Sequence, residues 1–72
     1  MTPFIVRVRT SAAAGHPGSM VLFVAMFETE TEAVNAVRSA VPKDWQVEDV
    51  IGHALASLIE RRKISPGRVE QL

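Results

Sequence analysis

An α+β fold of two layers, in the order β-β-α-β-α, is what this chain of 72 residues predicts. Three observations carry it. Phe4 to Arg9 alternates apolar and polar residues, Met20 to Phe27 is an unbroken apolar run, and Thr29 to Val41 carries apolar residues at helical spacing behind a capping signal. Strand-like and helix-like periods in turn along one short chain argue for helices packed on a sheet.

Composition bounds the reading. Residues 1–72 have room for one domain and no second core. A chain this small buries only about 60% of its unfolded surface, so such domains often lean on a disulfide, a metal or a partner subunit. Cysteine is absent, which removes disulfides, thiolate metal sites and cysteine nucleophiles and leaves the partner subunit. The formal net charge is zero, whereas a dedicated nucleic-acid or anionic-membrane binder is expected to carry a basic excess. The charges are nevertheless segregated. Arg7 and Arg9 stand alone in the first 27 residues, acids dominate from Glu28 to Asp49, and bases return with Arg61, Arg62, Lys63 and Arg68. Blocks of opposite sign suit pairing within the chain or between subunits.

The first strand covers Phe4 to Arg9, with Phe4, Val6 and Val8 on one face and Ile5, Arg7 and Arg9 on the other. Pro3 suits its first position, where a missing N–H costs little. Residues 10–19, rich in Ser, Ala, Gly and Pro, form an exposed connection too long for a tight hairpin turn. The second strand, Met20 to Phe27, is apolar on both faces: Met20, Leu22, Val24 and Met26 on one, Val21, Phe23, Ala25 and Phe27 on the other.

Thr29 followed by Glu32 fits a capping box, and the acids of the first turn complement the helix dipole. Val34, Val37 and Val41, flanked by Ala33, Ala36 and Ala40, give the helix one small apolar stripe that can lie close on a sheet. Pro42 ends it. Trp45 to Glu48 resumes alternation, but Val50 then falls on the wrong face, so strand 3 (Gln46 to Ile51) either ends early or contains a bulge. Ala54, Leu55, Leu58 and Ile59 mark a second helix over His53 to Lys63, with Arg61, Arg62 and Lys63 in its last turn. Residues 64–72 read as a short helix opened by Ser65 and Pro66, or as an unordered tail, with Val69 and Leu72 able to pin it to the body.

The right-handed crossover rule makes strands 2 and 3 parallel, and the most economical sheet has three strands with strand 1 central, a split β-α-β arrangement. With both helices on one face, the other would leave Leu22 or Phe23 and their neighbours wet. Burying a side chain of that class is worth about 1.5–3 kcal/mol, so a homodimer is expected, with Leu22, Phe23, Val24 and Phe27 at its interface and Trp45 at the margin. A second helix packed on the opposite face would make a monomer acceptable.

Chemistry is sparsely signalled. His16 and His53 lie far apart and form no H-x-x-x-H or H-E-x-x-H pattern, so no metal site and no cofactor is expected. No serine lies in a G-x-S-x-G or S-x-x-K arrangement, and Glu28, Glu30 and Glu32 are explained by helix capping. Gly15 to Ser19 resembles an anion-cradling loop but has no lysine and leads into a strand. No catalytic residue is therefore nominated. The apolar run is far shorter than the roughly 20 residues of a membrane span. It begins too late, and without a small-residue cleavage pattern, for a secretory leader. The resulting expectation is a non-catalytic, self-associating cytoplasmic domain that binds a protein or a small ligand. The alternative is a nucleic-acid-binding module using Arg61, Arg62, Lys63 and Arg68.

Overall fold

The computed structural model describes residues 1–11 and 17–72. The elements are β1 (Thr2–Arg9), β2 (Met20–Phe27), α1 (Glu30–Ala40), β3 (Gln46–His53), α2 (Ala56–Arg62) and β4 (Val69–Gln71). The sheet has four strands in the order β3-β1-β2-β4, and every neighbouring pair is antiparallel. Strand 1 is thus central and antiparallel to strands 2 and 3, as the split β-α-β reading has it.

The fourth strand corrects the three-stranded expectation and the reading of residues 64–72 as a helix or loose tail. A β2 with one bare edge would leave the backbone of an apolar strand unpaired. The C-terminal segment closes that edge. Val69 lies opposite Ala25 and Glu70 opposite Val24. Gly67 N–H donates to Met26 O at 2.7 Å, and Leu72 N–H to Leu22 O at 2.8 Å. Gly67 has φ of 79°, a left-handed conformation that only glycine adopts cheaply, and this turns the chain into β4.

The helix start at Thr29 is as the capping pattern implies. Its Oγ1 accepts from Glu32 N–H at 3.2 Å and donates to Glu32 Oε1 at 3.1 Å. Ala33 and Val37 are fully buried against the sheet, joined by Phe4, Val6, Val8, Phe23 and Ala25 in the larger core. Small side chains on α1 let it approach the strands closely.

Strand 3 keeps its register by two bulges. Val6 faces Val50 but Ile5 faces Gly52, and Arg7 faces Asp49 but Val8 faces Val47. Glu48 and Ile51 are the extra residues. Their insertion returns both Val47 and Val50 to the core beside α1, although three positions separate them in the chain.

The second helix is shorter than His53 to Lys63 and lies elsewhere than expected. His53 ends β3, and Ala54 N–H donates to Pro3 O at 2.8 Å, so the ladder with β1 holds the backbone extended beyond the strand. Helical geometry begins only at Ala56. The two helices do not share a face. Leu58, Ile59 and Ala54 pack with Ile5 around Val24, Met26 and Ile64, the side of the sheet opposite α1. Ile64, which follows the helix, is the buried member of this cap at 6% exposure.

Two consequences follow for stability. Ile64→Ala should cost about 2–5 kcal/mol, a drop in melting temperature of many degrees in a domain this small, because it empties the second core. A thermal midpoint unchanged within about 2 °C would contradict the packing of this segment. Lys63 ends α2 in the left-handed conformation, φ 54° and ψ 46°, where a side chain is strained. Lys63→Gly should raise stability by about 1 kcal/mol, read as a higher midpoint in urea or on heating.

Candidate functional site

The second face of the sheet is divided along its strands. At one end Ile64, Leu58 and Ile59 cover Val24 and Met26. At the other end the cross-strand rows are Arg7 with Leu22 and Asp49, and Arg9 with Met20 and Gln46. Among the described residues no helix lies over these rows: Leu22 is half-buried and Met20 is 42% exposed.

The charges on this open half are paired. Arg7 donates Nε to Asp49 Oδ1 and Nη2 to Asp49 Oδ2, both at 2.9 Å, in a two-pronged fork. Arg9 Nε donates to Glu48 Oε1 at 3.0 Å. The first bulge is the cause: inserting Glu48 lets two consecutive acids meet the two arginines of β1. Both arginines of the basic first block are therefore paired within the chain by two acids of the middle block. Both side chains of the Arg7–Asp49 pair are about half exposed, so solvent screens it and its worth is modest.

The nominated contact residues fall into different places. Phe23 and Val24 are enclosed by the chain itself, on opposite sides of the sheet. Phe27 and Trp45 are half-buried and pack at the margin of the core under α1. Among the five, Leu22 stands on the open half-face. Met20 and the two ion pairs share that face and were not nominated. The parity of β1 against an acidic β3 is the signal that places the pairs there.

The basic residues of the C-terminal third have different neighbours. Arg61 lines a concavity between α2 and the sheet, while Lys63 and Arg68 line another, of about 240 Å³, together with Glu70. Arg62 Nη1 donates to Gln71 O at 3.0 Å and ties α2 to β4. His53 stacks edge-on against Phe4, ring centroids 5.2 Å apart. His16, with Gly15 of the candidate anion loop, lies outside the described residues. Among the described residues no three His, Asp or Glu side chains gather closely enough to hold a metal ion. Among the described residues no helix is long and apolar enough to cross a membrane.

Comparison with protein-family models, curated proteins and solved structures finds no match for this chain.

The fork between Arg7 and Asp49 sets a measurable expectation. A double-mutant cycle with Arg7→Ala and Asp49→Ala should give a coupling of about 0.5–1 kcal/mol that shrinks in 1 M salt. Zero coupling at low salt would mean that the pair contributes nothing to the fold.

Proposed function

We propose that this protein is a non-catalytic cytoplasmic domain that self-associates through the open half of its second sheet face and serves as a binding module. The observation that carries the reading is the Met20–Leu22 strip, left without a helix among the described residues and bordered by charges of both signs. Such a surface is self-complementary. Under a two-fold axis the apolar strip of one copy meets that of another, and Arg7 and Arg9 can face Glu48 and Asp49 across the joint.

Two features favour face-to-face pairing over strand-to-strand pairing. The bulges of β3 disrupt the edge that a second sheet would have to extend. The other edge is the short β4. Phe23 and Val24 act in this reading as the rigid support beneath Leu22, and Phe27 and Trp45 stand outside the contact. The patch is only part of one face, so the dimer is expected to bury less than the about 800 Å² per partner of a standard interface and to belong to the weak, concentration-dependent class. The cysteine-free composition suits a reducing compartment. Arg61 lines one concavity, Lys63 and Arg68 another, and Arg62 is tied to Gln71 O, which favours this reading over a basic track for nucleic acid.

Sedimentation equilibrium tests the reading. The chain should show a monomer–dimer equilibrium in the micromolar to millimolar range, and Met20→Glu should shift it to monomer without lowering the thermal midpoint. A strictly monomeric chain at millimolar concentration would end the proposal. Retention on single- or double-stranded nucleic acid at low salt, lost steeply as salt rises, would instead favour the basic residues.

A further inference from the structure

Leu55 breaks two local rules at once. It is the N-cap of α2, a position where Ser, Thr, Asp or Asn accepts from the first-turn N–H groups at a gain of about 1 kcal/mol, and it makes no side-chain cap bond. It is also 74% exposed, so its aliphatic side chain gains little from folding. A polar residue here would serve both the helix and the surface. Positions that override local preference with no folding benefit are where a binding role is to be sought.

Leu55 stands at the rim of an open concavity of about 380 Å³ between α2 and the sheet. Ile5, Ala54 and Leu58 form its half-buried apolar walls, and Ser57 and Arg61 are among its polar groups. Leu55, Leu58 and Arg61 follow one another at three-residue spacing and so share one flank of the helix. Among the described residues Arg61 takes part in no ion pair. The opposite flank, in a neighbouring concavity of about 490 Å³, presents Ile59 with Glu60 instead. The two sides of α2 thus offer apolar surface beside opposite charges.

We infer that the Arg61 flank binds a small amphipathic monocarboxylate, its chain against Ile5, Leu55 and Leu58 and its head on the Arg61 guanidinium. Apolar walls with one placed charge are the usual build of a small-molecule site, and a guanidinium matches a carboxylate in two-pronged geometry. An enclosed cavity of about 150 Å³ holds benzene, so this larger, open one has room for a chain of roughly six to eight carbons. Ligand burial would also dry the exposed Leu55. This site does not depend on self-association: Met20 and Leu22 lie at the far end of the same face, opposite Arg9 and Arg7.

The test is a methyl and amide NMR titration of the full chain with octanoate below its micellar concentration, with octanol and octylamine as comparators. Octanoate should give saturable shifts at Ile5, Leu55, Leu58 and Arg61. Arg61→Gln should weaken octanoate about tenfold while leaving octanol within about twofold, the loss expected for a charge-assisted contact. Leu55→Ser should weaken both. Leu55 and Arg61 are exposed, so Arg61→Gln should keep the wild-type thermal midpoint and Leu55→Ser should keep or raise it, because serine caps α2. Absence of saturable octanoate shifts at this flank overturns the inference. So does octanoate binding unchanged by Arg61→Gln, or octylamine binding as tightly at the same residues. Shifts at Met20 and Leu22 that follow protein concentration report self-association separately.

Discussion

Eight successive apolar residues in one strand can be hidden only when both faces of the sheet are covered, and the rest of this molecule is arranged to meet that demand on β2. Alpha1 lies over Phe23 and Ala25, and α2 with Ile64 lies over Val24 and Met26. The edges are met in the same way, with β1 on one side of β2 and the C-terminal β4 on the other. A strand that is apolar all round behaves as an interior strand of a two-sided sheet. In a chain of 72 residues that cover is necessarily incomplete. It stops at Leu22 and Met20, where helix gives way to paired charges.

The stopping point links packing to function. A helix of seven residues covers about two turns' length of sheet, and the segment that follows it must return as β4. Arg7 and Arg9, set against Asp49 and Glu48, take over where no helix reaches. Their aliphatic stems can lie along the apolar strip while their heads remain in water. The surface that results is neither a core nor a plain solvated face, and its mixed charges favour a like partner over a strongly charged one.

Much of the frame was legible before any coordinates, for local reasons. The strand phases of Phe4–Arg9 and Met20–Phe27 follow from alternation, and the helix from Thr29 follows from a cap, an apolar stripe and Pro42. The doubt at Val50 was real, and two bulges answer it. What the pattern did not show was β4: Val69 and Leu72 are too few apolar residues to announce a strand, and only the free edge of β2 makes them one. Leu55 belongs to the apolar stripe that marks the second helix, and Met20 to an apolar strand face, yet both stay exposed, since an apolar residue in a sequence gives no hint that it will stay wet.

The sequence by itself determined the phase of strands 1 and 2, the bounds of the first helix and the central place of strand 1, because these depend on contacts between near neighbours and on the handedness of crossovers. Tertiary structure alone decided the fourth strand, the side chosen by α2 and the grouping of Arg7, Arg9, Glu48 and Asp49. Each of these depends on which surface remains unsatisfied once the other elements have packed, and that is a property of the assembled sheet rather than of any stretch of chain.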